Sequence, residues 1–394
     1  MNSPALPLTF LAALFLVPLA RAGESAAGEG ARHSLVAKRV GEFVDKHEIA
    51  GAVTLVVSPQ RGVEIHAVGL ADIAGNIPMK PDAMFWIASM TKPITGTAIM
   101  MLAEEGKLSV DDPVGKFIPE LAHLKTADGV EHVVTLKHLL THTSGMADIT
   151  PEQSRAARTL ADLIPYDTLK PLHFVPGSKW QYCQSAINAL GRVVEVVSGQ
   201  SYPDFVQKRL FDPLGMKDTT FYPTKEQLPR IAKSYKFEKG KLDEVSIGFL
   251  QGRSADSHER FPAANGGLFS TAADYGRFLQ MILNHGELNG HRYLKPETVH
   301  QMTTVQSGDV KTGFTPGNGW GLGWCVIREP QGITAALSSG SHGHGGAYGT
   351  QAWIDPVKQL IFVLMIQRSN INSDGSELRK AFQDAAVEEI SKGK

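Results

Sequence analysis

The chain has 394 residues, of which 42% are hydrophobic and 20% charged, and its formal net charge at pH 7 is -1. This composition is typical of a soluble globular protein with one large domain or two, and it gives no indication of a surface that binds nucleic acid. The two cysteines, Cys183 and Cys325, exclude a disulfide scaffold. A single bridge between them stays open, although their apolar neighbours favour two buried free thiols.

The first 22 residues have the pattern of a secretory signal peptide. An apolar run at residues 6–19 is followed by Ala20, Arg21 and Ala22, a small-x-small cleavage pattern. An uncleaved anchor is the alternative, because the run lacks a preceding Lys or Arg, but the run is short for a membrane span. We therefore expect cleavage after Ala22, a mature domain at 23–394 without a stable membrane span, and a periplasmic or secreted location.

In chain order, the mature part opens with a predicted amphipathic helix at 34–46. A hairpin of β-branched strands at 51–57 and 63–68 follows, and then a loop at 75–78. Ser89 is predicted to start a helix that runs to about residue 105, with Pro93 in its first turn. Thr135 is predicted to cap a short helix at 135–140.

The middle of the chain, 150–260, shows helices and loops with few strand signals, including a helix at 185–197. Ser270 is predicted to cap a helix that ends at His285, and a short helix follows near 296–302. Four predicted strands follow, at 321–327, 333–337, 348–354 and 360–366. A predicted C-terminal helix at about 377–390 closes the chain.

Strands at both ends of the chain and helices between them predict one sheet built from two distant segments. The sheet region is expected at about 23–88 and 320–394, and a mainly helical region at about 89–319. Clefts form at such seams, so the start of the Ser89 helix is a candidate active site.

Ser89 and Lys92 carry a chemical signal of their own. They are three residues apart, so one helical turn can place the lysine amine beside the serine hydroxyl. A serine hydroxyl needs a neighbouring base to become a nucleophile, and the helix N-terminus favours negative charge there. The alternative is a helix cap beside a solvated lysine. The same spacing recurs at Ser391 and Lys394 in a polar tail, which we treat as chance.

Several separated stretches carry a family resemblance, at 89–95, 106–113, 140–145, 213–216 and 344–350. On these stretches the chain resembles the serine β-lactamase and penicillin-binding-protein superfamily, most closely class C β-lactamase-like hydrolases and family VIII carboxylesterases. The resemblance covers nearly all of the mature chain. It implies an α/β (α+β) class with a β-lactamase/transpeptidase-like fold, in which helices flank an antiparallel sheet and a helical region is inserted.

The resemblance also implies the site residues. The family's Tyr-x-Asn motif falls on Tyr182 and Gln184, and a phenol beside the Lys92 ammonium is expected to ionise more readily than a free one. Gln184 replaces the usual Asn, which leaves its reach toward Lys92 and the substrate open. The third motif, Lys-Thr-Gly in β-lactamases, is matched best by residues 344–346. The literal match at 311–313 lies in a predicted loop, and we treat it as a decoy.

By the same resemblance, the backbone N–H groups of Ser89 and Ala347 form an oxyanion hole, and Gly346 lets the substrate approach closely. The implied reaction is hydrolysis of a small ester or amide through an acyl-enzyme at Ser89, with Lys92 or Tyr182 as the base. No cofactor is implied. His342 and His344 lack a third ligand at a metal-site spacing, so no metal is expected.

Three functions are open: an esterase or amidase, a β-lactamase or D-alanyl peptidase, and an inactive peptidoglycan-binding homologue. The third needs the nucleophile to be lost, whereas Ser89, Lys92 and Tyr182 are all present. His344 stands where β-lactamases carry a lysine, and an ordinary histidine pKa of about 6.5 leaves it mostly neutral at pH 7. The sequence therefore favours neutral esters and predicts that any β-lactam hydrolysis improves toward pH 6. The oligomeric state stays open.

Overall fold

The computed structural model describes residues 34–313, 315–372 and 374–392. The predicted signal peptide lies outside these residues. Within them, no helix has the length and apolarity needed to cross a bilayer. Cys183 and Cys325 are both buried and unbridged, so the favoured prediction of two free thiols is confirmed.

The strands form one large antiparallel sheet and three small two-stranded pairs. The strands are β1 (Gly51–Ser58), β2 (Gly62–Asp72), β3 (Ile77–Pro78), β4 (Phe85–Trp86), β5 (Ser234–Glu238), β6 (Lys241–Val245), β7 (Phe269–Ser270), β8 (Glu287–Leu288), β9 (His291–Arg292), β10 (Asn318–Trp320), β11 (Cys325–Ile327), β12 (His342–Gly345), β13 (Gln351–Asp355) and β14 (Leu360–Met365). The large sheet has the order β10-β11-β12-β13-β14-β1-β2-β3. The two ends of the chain therefore build one sheet, as the sequence predicted.

The helices cover both faces of that sheet and fill the middle of the chain. The α-helices are α1 (Leu35–Asp45), α2 (Thr91–Glu104), α3 (Leu136–Leu140), α4 (Pro151–Ala156), α5 (Ile164–Asp167), α6 (Gln184–Ser198), α7 (Tyr202–Val206), α8 (Asp212–Leu214), α9 (Ala272–Leu283), α10 (Pro296–Thr303) and α11 (Glu377–Ser391). The fold is thus the predicted arrangement of an antiparallel sheet flanked by helices.

The two central strands show why the sheet needs helices on both faces. In β14, Ile361 and Val363 belong to the core that contains α2 and α9, whereas Phe362 and Leu364 belong to the core of α1 and α11. Side chains alternate between the faces of a strand, so a strand that is apolar on both faces must be covered twice. β1 follows the same rule, and Leu55 lies opposite Val363.

Several predicted boundaries are wrong. Residues 333–337 form no strand; a 3-10 turn at Gly332–Thr334 lies there. Thr271, and not Ser270, caps α9, because its side chain accepts the N–H of Asp274. The β5–β6 hairpin was missed, and so was β10. Only the last three residues of the predicted strand at 321–327 form a strand, β11, and the predicted loop at 75–78 contains the edge strand β3.

Helix α2 is the central helix of the fold and not an amphipathic surface helix. Its residues from Thr91 to Leu102 are all buried. Gly96 permits this, because a Cβ at that position would lie well inside van der Waals contact of the Leu322 carbonyl oxygen.

Gly96→Ala should therefore lower the free energy of unfolding by about 1–3 kcal/mol, although alanine is the better helix former. Gly41, in α1, is the matched control because a Cβ there has no atom within 4 Å. Gly41→Ala should raise the free energy of unfolding by about 0.5–1 kcal/mol. Urea unfolding of both variants measures the difference, and equal effects would mean that Gly96 has no packing role.

Candidate active site

Ser89 lies in a 3-10 turn, Ala88–Met90, that leads directly into α2. The turn is sharp because Ala88 adopts a left-handed backbone, with φ +45. Non-glycine residues rarely take this conformation, and it is common where a side chain must be presented at a functional site. The turn leaves Ser89 partly exposed, whereas its neighbours Ala88 and Met90 are buried. Ser89 thus precedes the helix by two residues, close to its predicted position.

Lys92 is fully buried and its amine faces the serine. Its Nζ lies 3.0 Å from Ser89 Oγ, 2.8 Å from Gln184 Oε1 and 2.8 Å from the carbonyl oxygen of Asn265. The last two atoms can only accept hydrogen bonds, whereas a serine hydroxyl can also donate one. A neutral amine therefore satisfies all three contacts. Burial lowers the pKa of Lys92 to about 7, although the charge of Asp148 acts to raise it.

Tyr182 lies beside both residues. Lys92 Nζ is 4.6 Å from the centre of its ring, and its hydroxyl hydrogen-bonds the Ser89 side chain. Burial raises the pKa of Tyr182 well above 10, and the Ser89 hydrogen bond offsets this only in part. The prediction that this phenol ionises readily is therefore wrong, because loss of solvent disfavours its charged form.

His344, on β12, is buried on the far side of the Tyr182 hydroxyl. Its Nδ1 lies 2.6 Å from the Gly345 carbonyl oxygen, which can only accept, so the neutral ring carries its proton on Nδ1. Its Nε2 lies 3.5 Å from the Tyr182 hydroxyl. Burial, followed by the charge of Lys92, lowers the pKa of His344 to about 3. The predicted protonation of His344 near pH 6 is therefore wrong.

Gln184 reaches Lys92 despite the extra methylene, because Asn265 supports it. The Gln184 Oε1 also accepts from Asn265 Nδ2 at 2.7 Å. Asn265 is fixed in turn by its N–H bond to Asn188 Oδ1 at 3.2 Å. Asn265 was not predicted as a site residue; the two glycines that follow it indicate a turn and no more.

Asp148 is a second site residue that was not predicted from the sequence. Its Oδ1 accepts from the N–H groups of Gln184 at 2.6 Å and Ser185 at 3.0 Å, and from the thiol of Cys183 at 3.3 Å. A carboxylate at a helix N-terminus stabilises the otherwise unpaired N–H groups and the helix dipole. Asp148 thus fixes the start of α6, where Gln184 is the first residue.

The turn that carries Gly346 and Ala347 lies against the backbone just ahead of Ser89. Gly346 donates its N–H to the Thr350 carbonyl at 2.7 Å. A Cβ on Gly346 would lie 2.6 Å from the Ile87 carbonyl oxygen, so only glycine allows this approach. Ala347 is exposed at the tip of the turn. The turn and Ser89 therefore belong to one site.

An aromatic wall, formed by Trp86, Phe249 and Tyr348, borders the same turn. Phe249 stacks on Trp86 with 5.5 Å between ring centres, and Tyr348 meets Trp86 edge-on at 5.0 Å. The Tyr348 hydroxyl accepts the N–H of Gly248 at 2.9 Å. Phe249 and Tyr348 are partly exposed, so this side of the site is apolar.

The literal Lys-Thr-Gly match at 311–313 and the histidine pair considered as a metal site were both rejected from the sequence. Lys311 is exposed in a loop and not on a strand, in agreement with its treatment as a decoy. His342 is buried, and its Nδ1 bonds the Gly340 carbonyl at 3.0 Å. Among the described residues, no three His, Cys, Asp or Glu side chains are grouped as metal ligands would be.

Known proteins are similar to this chain in fold and in sequence. A solved structure, EstCE1, a hydrolase with promiscuous acyltransferase activity, superposes with a TM-score of 0.76 at 25% identity, and the match covers 90% of this chain and 98% of that one. Esterase EstB of Burkholderia gladioli is 30% identical over 370 residues, which are 86% of this chain and 91% of that protein. Penicillin-binding protein 4 of Amycolatopsis lactamdurans is 31% identical over 310 residues, 78% of this chain and 77% of that protein.

The family assignment rests on nearly the whole length of the chain. The model of the Beta-lactamase family matches residues 36–386, which span every strand of the large sheet and the contacts among Ser89, Lys92 and Tyr182. The chain therefore belongs to the Beta-lactamase family of serine hydrolases.

Proposed function

We propose that the chain hydrolyses small neutral esters through an acyl-enzyme at Ser89. The observation that supports this most is the contact between Ser89 Oγ and a buried Lys92 amine at 3.0 Å. Because the other two partners of that amine only accept, its lone pair can point at the serine hydroxyl. With a pKa of about 7, a large share of Lys92 is neutral at neutral pH and available as a base.

The proposed proton path uses Lys92 and Tyr182 as a pair. Ser89 Oγ forms a bond to the acyl carbon as its proton passes to Lys92, and the pair returns one proton to the leaving alcohol when the ester bond breaks. Water then attacks the acyl carbon and loses a proton to the pair. The bond between the acyl carbon and Ser89 Oγ breaks, the pair returns the proton to Ser89 Oγ, and the carboxylic acid leaves. Tyr182 takes part as a protonated phenol, since burial raises its pKa well above 10. The N–H groups of Ser89 and Ala347 stabilise the oxyanion.

The neutral-ester assignment rests on His344. A lysine at this position would offer a charged donor to a substrate carboxylate, as in β-lactam recognition. The buried His344 stays neutral, because its pKa lies near 3. The similarity to EstB supports esterase activity, and the similarity to penicillin-binding protein 4 keeps a β-lactamase or peptidase as the alternative.

The kcat/KM for short-chain p-nitrophenyl esters should exceed that for a chromogenic cephalosporin by about tenfold or more, the value of one lost charge-assisted hydrogen bond. Because His344 does not titrate above its pKa of about 3, protonation of this residue should not change the ratio between pH 6 and pH 8. Assays of both substrates across this range measure it. A preference for the cephalosporin, or one that grows toward pH 6, would contradict the assignment.

We also propose that the protein is exported to the periplasm or the medium, with cleavage after Ala22. The support is the apolar run at 6–19 and its small-x-small end. An N-terminal sequence of the mature protein that begins at Gly23 is the expected result.

A further inference from the structure

One residue, His142, holds Tyr182 from both sides. Its carbonyl oxygen accepts the N–H of Gln181 at 2.9 Å, and its Nδ1 accepts the N–H of Cys183 at 3.2 Å. Its ring lies against the Tyr182 ring, with 4.4 Å between centres. The residues immediately before and after Tyr182 are thus fixed by the same histidine, and the phenol between them rests on its imidazole.

The protonation state of His142 suits this arrangement. A backbone N–H can only donate, so the Nδ1 that receives it must be unprotonated, and the neutral ring carries its proton on Nε2. His142 is fully buried, which lowers its pKa well below 6.5. Its Nε2 has no hydrogen-bond partner among the described residues. A buried polar group without a partner is unfavourable, so the other contacts of the ring must offset this cost.

The backbone conformation of His142 also serves these contacts. It adopts a left-handed conformation, with φ +59, just after the end of α3. Histidine and asparagine visit this region more often than most non-glycine residues. In this conformation both the carbonyl and the side chain of His142 face the 181–183 segment.

We infer that His142 is a positioning residue that sets the location of the Tyr182 hydroxyl between Ser89 and His344. The inference rests on the proposed function, in which Tyr182 handles the proton of the leaving group. A displacement of about 1 Å at a reacting group can cost about 100-fold in rate. Loss of His142 should therefore lower kcat and leave KM nearly unchanged, because His142 is buried behind Tyr182 and does not reach the substrate.

Three substitutions separate the contributions of the residue. His142→Asn keeps an acceptor in place of Nδ1 and tolerates the left-handed backbone, but it removes the ring. His142→Phe keeps a ring and removes the acceptor, and His142→Gly keeps only the backbone freedom. His285→Gly is the matched control, since His285 is also left-handed, with φ +54, at the end of α9 and makes no contact with the site described above.

The measurement is kcat and KM for p-nitrophenyl acetate, with thermal unfolding to compare the folded state of each variant. We expect His142→Gly and His142→Phe to lose about 100-fold in kcat with KM within about twofold, and His142→Asn to recover at least about tenfold of that loss. His285→Gly should match the wild type. Rescue by asparagine is a result that a merely structural role would not give.

Other outcomes overturn the inference. A kcat within about twofold of the wild type in all three variants would do so, as would a folded asparagine variant no faster than the phenylalanine one, or a rise in KM alone. The proposed function is judged separately by Ser89→Ala. Ester hydrolysis that needs Ser89 but not His142 would remove this inference only, whereas hydrolysis that does not need Ser89 would remove the proposed function itself.

Discussion

Ser89→Ala should lower kcat for ester hydrolysis by about 10³-fold or more, the scale on which loss of a nucleophile acts in other serine hydrolases. The substitution removes the oxygen that Lys92 Nζ contacts at 3.0 Å and that Tyr182 also bonds. It leaves the buried face of α2 unchanged, because Ser89 lies outside the helix. Initial rates with p-nitrophenyl acetate, together with thermal unfolding, measure the effect.

The tail residue Ser391 provides the matched control for this substitution. It has a lysine at the same spacing, but it lies exposed at the end of α11 and its hydroxyl donates to the Val387 carbonyl at 2.8 Å. Ser391→Ala should keep full activity. A Ser89→Ala enzyme with near-normal turnover would contradict the proposed mechanism.

Tyr182→Phe should lower kcat by about 10²–10⁴-fold, the usual loss for a general acid–base group. The change removes only the hydroxyl, so the ring keeps its contacts with Lys92 Nζ and with His142. Folding should survive for that reason. The residual rate should still rise with pH through about 7, because Lys92 must lose its proton to act as a base and its pKa lies there.

The control for this variant is Tyr235→Phe. Tyr235 is also buried, and its hydroxyl accepts the N–H of Ile73 at 2.8 Å, away from the site. Loss of this hydroxyl should lower the free energy of unfolding and leave kcat unchanged. An unchanged rate in Tyr182→Phe would reassign Tyr182 to packing, and a residual rate that no longer depends on pH near 7 would argue against Lys92 as the base.

The sequence predicted the elements whose pattern is set by burial. β1 and β14 are apolar on both faces and were found almost to the residue, as were α1, α6 and α11. The β5–β6 hairpin was missed because its strands are largely exposed and charged, so the apolar alternation is weak. In its turn, Lys239 and Gly240 both have positive φ, and the glycine is the residue type that this conformation favours.

The site was predictable where its residues are close in sequence or fall on family motifs. Ser89 and Lys92 are close in sequence, and Tyr182 and His344 fall on family motifs. Asn265 lies 173 residues from Lys92 and binds it through its backbone carbonyl, which any residue type could supply. Asp148 caps a helix from a separate segment. Neither contact leaves a pattern in a single sequence.

The charge states could not be read from the sequence either. The predicted ionisation of Tyr182 and the predicted protonation of His344 left the burial of both groups out of account. In the folded protein burial dominates, and it moves the pKa of the phenol up and that of the imidazole down. Burial also brings the pKa of Lys92 to about 7, which favours Lys92 as the base over an ionised Tyr182.

Covalent labelling tests the central claim most directly. The purified protein is treated with a fluorophosphonate, digested and analysed by mass spectrometry, with Ser89→Ala treated in parallel. One adduct on the peptide that contains Ser89, absent from the variant, is the result expected for an acyl-enzyme nucleophile. An adduct found only on another peptide, or one of equal yield in Ser89→Ala, would show that a different residue is the nucleophile.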